Sequence, residues 1–437
     1  MPSTITESGG EYDVAVVGAG AAGIAATRLL AAAGLHVVML EARDRLGGRG
    51  HTVPSGLGFG VDLGCEWLHS ADINPWTRLA RDAGLTVDER LPDWGQRVAW
   101  LQGKAAQEEW RQNMAAFYDR LDRAAEEPID RPAATLLEPG GKWNALLRAI
   151  SNWANGAELD DVSVKDYGRY DPTNVNWRVI EGYGTLLAKV GADLPAQLGT
   201  VVERIDHGGK RINVVTNRGE LSARAVIVTL PTNVIAAEAV RFSPALPDKI
   251  SAAGGLPLGV VNKLFLRIEG SPDTLKDETD RHLIGAIDTA ETGSYQIRPH
   301  GWPAIEGFFG GHLAARFERD GAASMVDFAR RELAGLFGAD VARRLTPIAH
   351  SAWAADPFSR GAYSMARPGH ADERKILAAP IDGRLFFAGE ACSLAHFGTA
   401  HGAYFSAAEA AEQAIAALGS NRAGAASGGA PRIQGGI

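Results

Sequence analysis

The chain has 437 residues, more than one hydrophobic core usually spans, so two domains are expected. A formal charge of −8, from 44 Lys+Arg against 52 Asp+Glu, leaves no basic surplus for nucleic-acid phosphates and suits a cationic partner instead. No apolar run reaches the ~18 residues of a membrane span, and the polar, acidic start MPSTITESGGEYD is neither a secretory signal nor a transit peptide. The 2 cysteines, Cys65 and Cys392, form no CxxC and no metal-ligand cluster, so a reduced cytoplasmic setting and no metal site are expected.

In chain order, residues 13–18 (DVAVVG) form an apolar run closed by glycine, which predicts a buried parallel strand. Residues 21–33 are rich in Ala and Leu and predict a helix that Gly34 stops. Residues 36–41 (HVVMLE) predict a second strand, completing a βαβ unit. Residues 75–150 change to Trp, Arg, Glu and Ala at helical periods and predict a helical insertion. Strands return over 200–230 as VVERI, which contains Val202, then RINVVT and ARAVIVTLP, the last closed by Pro231. Residues 260–268 (VVNKLFLRI) predict a strand of mixed facing, 323–337 a helix, 384–388 a short buried strand and 401–417 a helix. The stretch from Ser420 to Ile437 is rich in Gly, Ala and Ser and predicts disorder.

Gly18-Ala19-Gly20-Ala21-Ala22-Gly23 is GxGxxG, and it stands between a strand and a helix with Glu41 closing the next strand. Gly18 makes the turn, Gly20 lets backbone approach a pyrophosphate, and Gly23 lets helix pack on strand. The helix start favours the phosphate charge, and Glu41 can accept from ribose hydroxyls. That much reads as a dinucleotide site of unspecified kind. Ala42-Arg43-Asp44-Arg45-Leu46-Gly47-Gly48-Arg49 then follows. This ExxxxxGGR pattern resembles the flavin oxidoreductases related to amine oxidases. The resemblance implies FAD, with Gly47 and Gly48 letting the chain pass close and Arg49 meeting the pyrophosphate.

Residues 384–404 (RLFFAGEACSLAHFGTAHGAY) give a second strand, turn and helix with an acidic residue. They resemble the C-terminal FAD signature of the flavin-containing amine oxidase superfamily, which holds monoamine, polyamine and spermine oxidases, L-amino acid oxidases and lysine-specific histone demethylases. The implied fold is α/β. A Rossmann-like FAD-binding domain, of the glutathione-reductase and p-hydroxybenzoate-hydroxylase kind, is interleaved with an α+β substrate domain. The FAD domain is expected from 11–75, 172–256 and 350–420, the substrate domain from 76–171 and 257–349, and a disordered tail from 421–437. The implied cofactor residues are Gly18, Gly20, Gly23, Glu41, Ala42, Arg43, Gly48, Arg49, Val202, Gly389, Glu390, Thr399 and Ala400. Of these, Glu390 is implied near the ribityl chain or pyrophosphate, and the helix start at Thr399 and Ala400 faces the flavin edge, where reduction builds negative charge.

Two further stretches resemble the family. Trp353-Ala354-Ala355-Asp356-Pro357, then Gly361-Ala362-Tyr363, is similar to its WxxDPxxxGxY, and Gly259-Val260-Val261-Asn262-Lys263 to its lysine-bearing strand. The resemblance implies Lys263 as the catalytic residue, its ammonium holding a water near flavin N5. The bland alternative is a snorkelling lysine at a strand edge. In monoamine oxidases a cysteine just before the tyrosine bonds the flavin. Here Ala362 stands there, so non-covalent FAD is expected. Tyr363 would form one wall of an aromatic cage that guides an amine, and Thr399 the opposite, non-aromatic wall.

Gly64-Cys65-Glu66-Trp67-Leu68-His69 resembles the GxxWxHG stretch of animal polyamine and spermine oxidases. It implies Glu66, Trp67 and His69 beside the substrate, together with Trp353, Tyr363 and Thr399. Alternatively Glu66 and His69 satisfy one another within the loop. The implied activity is amine oxidation: hydride passes from the α-carbon to flavin N5, water hydrolyses the imine, and O2 reoxidises the flavin to give H2O2. An L-amino acid oxidase, another C–N or C–C dehydrogenating flavoenzyme of this fold, and a non-catalytic FAD-binding scaffold stay open, as does a homodimer.

Overall fold

The computed structural model describes residues 10–94, 103–271 and 273–426. Its larger sheet is built around strand Glu11–Val17, which runs parallel between Val37–Leu40 and Gly219–Val228. Leu385–Phe387 pairs in parallel with the far end of Gly219–Val228. This pairing brings the C-terminal segment beside the N-terminal glycine turn, across most of the chain. Val202–Asp206 and Ile212–Thr216 extend the sheet as antiparallel strands, and Arg241–Ser243 pairs with the former in parallel.

Helices cover both faces, which is why the central strands are continuously apolar rather than alternating. Ile24 and Leu30 of helix Ala21–Ala32 pack with Ala407 and Ala411 of the long helix Ala400–Ala426 on one face. Val202, Ile205, Phe242 and Phe387 fill the other. The backbone helix runs to Ala426, so 421–426, expected as disordered tail, is helical. Residues 427–437 of that expectation lie outside the described residues.

A second, five-stranded antiparallel sheet has the order Arg281–Ile284, Ser294–Ile297, Ala304–Gly310, Val261–Ile268, Leu345–His350. Helices Gly311–Asp320 and Ala322–Phe337 cover one face with Phe317, Met325 and Leu333. The Val261–Ile268 strand, expected to face both ways, is buried at every position except Arg267, because one face meets these helices and the other an internal cavity. The predicted helical insertion contains helices Lys104–Ala125 and Asn144–Ala154, packed through Trp110, Phe117 and Leu146. A small sheet pairs Trp67–Leu68 with Trp177–Val179 and fixes the Glu66–His69 loop against it. Among the described residues no helix is long and apolar enough to cross a membrane.

Candidate active site

The first glycine turn is shaped by close approach. Gly18 has φ +104°, a region closed to most side chains. A Cβ on Gly23 would lie 1.8 Å from the Gly18 carbonyl oxygen, so the third glycine serves helix–strand contact and does not line the cavity. The second glycine pair sits directly against the first. Gly47 N donates to the Ala19 carbonyl at 2.8 Å, and a Cβ on Gly48 would come 3.0 Å from Gly20 Cα. Glu41 is buried; its carboxylate accepts from Ala19 N at 2.8 Å and Arg43 N at 2.9 Å, tying the first glycine turn to the segment that follows the second strand. No side chain caps helix Ala21–Ala32, so its first N–H groups are available to a ligand.

The C-terminal segment locks onto this cradle through buried charge. Glu390 accepts from Arg49 Nη1 at 3.0 Å, Ser364 Oγ at 2.6 Å and Gly398 N at 2.8 Å. Burial alone would push its carboxyl up, but Arg49, the Ser364 hydroxyl and Arg374 hold it below the ordinary value. Arg374, fully buried, grips Asp166 at 2.6 and 2.8 Å and donates to Ser364 Oγ at 2.9 Å. Arg49 also donates to the Ala362 carbonyl at 2.6 Å, and Arg43 to Asp356 at 2.6 Å.

One cavity of about 1000 Å³ joins these groups to the second sheet. Gly18, Gly20, Glu41, Ala42, Arg43 and Gly48 line it, as do Arg49, Val202, Gly389, Glu390, Thr399 and Ala400. A glycine cradle left without side chains at Gly18, Gly20 and Gly48, an uncapped helix start and a braced carboxylate are the donors and acceptors a dinucleotide needs. The residues present therefore fit FAD.

On the other side of the same cavity stand Glu66, Trp67, His69, Lys263, Trp353 and Tyr363. Lys263 is on an inner strand, not an edge, which disposes of the snorkelling alternative. Its Nζ lies 2.6 Å from Glu66 Oε2 and 2.8 Å from Glu306 Oε1. Burial would strip its charge, but the two carboxylates hold the ammonium well above the usual lysine range. Burial pushes Glu66 up as well, yet Lys263 and Arg178 pull it down to about 2. Glu306 goes the other way, to about 8, through burial and the neighbouring Glu66 charge. At neutral pH the trio thus holds an ammonium, a carboxylate and a carboxylic acid.

His69 Nδ1 lies 2.7 Å from Asn176 Oδ1. Glu66 and His69 therefore each have another partner and do not satisfy one another. Trp353 Nε1 donates to the Leu63 carbonyl at 2.9 Å, and Tyr363 OH donates to the Trp153 carbonyl. Thr399 Oγ1 accepts from Gly402 N at 3.0 Å, capping the long helix whose start it was expected to mark. Ala362 lines the cavity, but so does Cys65, whose thiol burial and Asp62 push up to about 12. Sequence reasoning missed Glu306 and an aromatic wall of Trp110, Tyr118, Trp153 and Tyr167. For Glu306 the signal was present: a lone carboxylate in the apolar run AIEGFFG is costly to bury unless a cation meets it.

The fold and the cavity define an FAD-dependent oxidoreductase built on a parallel sheet. The chain matches the family described as flavin containing amine oxidoreductase over residues 21–178 and 162–415, and it belongs to that family. It is thus a flavin-dependent enzyme of C–N bond oxidation. It is 28% identical to polyamine oxidase 5 of Oryza sativa subsp. japonica, covering 91% of this chain and 87% of the relative. It is also 28% identical to lysine-specific histone demethylase 1 homolog 2 of Arabidopsis thaliana, covering 92% of this chain and 58% of that protein. Among solved structures, cyclohexylamine oxidase from Brevibacterium oxydans IH-35A superposes with TM-score 0.77 at 22% identity, over 94% of this chain and all of that one (100%). A putrescine oxidase redesigned in its cofactor binding gives TM-score 0.78 at 18% identity, over 93% of this chain and 99% of that one.

Proposed function

We propose that this protein oxidises a small-molecule amine, with dissociable FAD as its cofactor and O2 as the electron acceptor. Once bound, FAD would supply the two-electron redox chemistry that turns the amine into an imine and O2 into H2O2, the imine then being hydrolysed by water to a carbonyl product and the released amine or ammonia. The residues that would hold it are Gly18, Gly20, Glu41, Gly48, Arg49, Val202, Gly389 and Glu390, with Ala42, Arg43, Thr399 and Ala400 beside them. Gly23 contributes by packing. We assign 11–75, 172–256 and 350–420 to the FAD-binding body, and 76–171 and 257–349 to the substrate body.

The single observation that carries the reading is Lys263, held charged between Glu66 and Glu306 in the same cavity as the glycine cradle. An ammonium kept buried at such cost marks a functional site. We assign Lys263 the catalytic role, with Nζ holding its proton and orienting water. Trp67, Trp353 and Tyr363 exclude bulk water and offer aromatic surface to a cationic amine. Glu66, His69 and Thr399 give the polar contacts. An amino acid oxidase is less well supported. Lining arginines Arg43 and Arg49 are committed to Asp356 and Glu390, and Arg360 is exposed.

The test is anaerobic bleaching of the visible flavin band by a panel of amines, followed by peroxide release on admitting air. Colourless protein that FAD cannot reconstitute would overturn the whole assignment. Yellow protein that no amine bleaches would overturn the substrate class alone.

A further inference from the structure

The acids around the cavity are unevenly placed. Among its described lining residues the carboxylates are Glu41, Glu66, Glu306 and Glu390. Glu41 is bonded to the glycine turn and Glu390 to Arg49 and Ser364. Glu66 and Glu306 both close on the one ammonium of Lys263. The part of the cavity that enters the helical insertion is lined instead by Trp110, Met114, Tyr118, Ile150, Trp153 and Tyr167. Several of its polar groups are spent on each other and on backbone, and Asn155 and Gln296 add only neutral amides. Tyr118 and Tyr167 hydroxyls lie 3.2 Å apart, Trp153 Nε1 donates to the Thr292 carbonyl at 3.3 Å, and His282 Nε2 lies 2.6 Å from Ser294 Oγ. Burial pulls His282 down to about 4, so it is neutral, and both phenols are pushed up.

A second ammonium on a substrate would have to shed water into this compartment and find no carboxylate there. Aromatic faces return only part of that desolvation cost. A carbon-rich body, by contrast, gains from every apolar contact.

We infer that the substrate is an amine with one cationic nitrogen on an apolar body, rather than a di- or polyamine. The inference rests on the amine-oxidase reading above and sharpens it. It also departs from what the names of the plant relatives would suggest.

The experiment uses the FAD-loaded protein and two pairs: n-hexylamine against 1,6-diaminohexane, which share a six-carbon chain and differ by one amine, and 2-phenylethylamine against spermidine. The expected result is a kcat/KM at least about 100-fold higher for the monoamine of each pair, the scale on which a site rejects an unpaired buried polar group. Equal or better turnover of the diamine would overturn the inference. If no amine of either kind bleaches the flavin, the amine-oxidase reading fails instead, and the two failures are distinct. Met114→Glu adds a carboxylate to the apolar wall and should narrow the hexylamine preference by about 10-fold or more. A folded, yellow Met114→Glu protein with an unchanged ratio would also overturn the inference.

Discussion

Lys263 Nζ lies 2.8 Å from Glu306 Oε1, and the sheet register explains why. Lys263 is opposite Phe308 and Glu306 is opposite Phe265 on the paired antiparallel strand, so the two are diagonal neighbours within reach of long side chains. With Glu66 as the second acceptor, Glu306 keeps its proton to about 8. The folded carboxyl is thus raised above its unfolded value. Its stabilising contribution is full below the unfolded pKa, falls as pH rises, and is gone above about 8. Glu306→Gln imitates the protonated acid and cannot ionise. Thermal melts across pH 5 to 9 should show the unmodified protein losing stability toward the alkaline end, and Glu306→Gln losing distinctly less. Parallel curves would remove Glu306 from the account.

Removing the ammonium is the harsher change. Lys263→Met leaves the buried Glu66 carboxylate beside protonated Glu306 with no cation to pair it, and breaking a buried ion pair from one side costs about 3–5 kcal/mol. Part of that cost is recovered as Glu66, now unpaired, takes up a proton near neutral pH. We expect a lower melting temperature that recovers on mild acidification, so that its dependence on pH is steeper than that of the unmodified protein where that of Glu306→Gln is flatter. Stopped-flow reduction or reoxidation of the flavin should slow by at least about 100-fold. Unchanged kinetics with lowered stability would make Lys263 a structural residue.

The nucleotide half was legible because its signals are local. Gly18 to Gly23 needs only a strand before it and a helix after it, and Gly48 stands a few residues beyond Glu41. Lys263 was legible for the same reason, as a charge in an apolar strand. Glu306 was not. Its partnership depends on an antiparallel register between segments joined by a long excursion through two other strands, and no local pattern specifies it. Trp110 and Tyr118 were read as part of a helical insertion over 75–150, and Tyr167 lies beyond it. Which of their helix faces turns to the cavity is decided by packing against Ile284 and Met365, far along the chain. Arg374 and Asp166, fully buried together, lie outside every sequence motif. They tie the helical insertion to the segment that carries Glu390.

Two roles of glycine in the first turn can be separated. Gly20 lines the cavity, and a Cβ there meets only Gly48 Cα at 3.9 Å, an ordinary contact. Gly20→Ala should fold with little change in the melting temperature of the FAD-free protein, yet bind FAD at least about 10-fold more weakly, a cost of ~1.4 kcal/mol. Gly23→Ala places a Cβ 1.8 Å from a backbone carbonyl oxygen and should lower stability whether or not FAD is present. Titrating FAD into both apoproteins and melting each decides the matter. Equal melting temperatures for the two variants would contradict the division of roles.

Attachment of the flavin turns on two side chains in one wall. Ala362 offers no nucleophile, and Cys65 is a thiol that burial and Asp62 hold protonated, up to about 12. The thiolate, not the thiol, is the nucleophile, so Cys65 stays inert near neutral pH although it lines the cavity. Acid precipitation should therefore leave all the yellow colour in the supernatant, and Cys65→Ser should release flavin identically. Ala362→Cys places a thiol on the residue whose own carbonyl accepts from Arg49 at 2.6 Å, a setting that favours the thiolate. That variant is expected to retain a fraction of flavin in the pellet. Flavin retained by the unmodified protein and released by Cys65→Ser would assign the attachment to Cys65 and refute the argument from its burial.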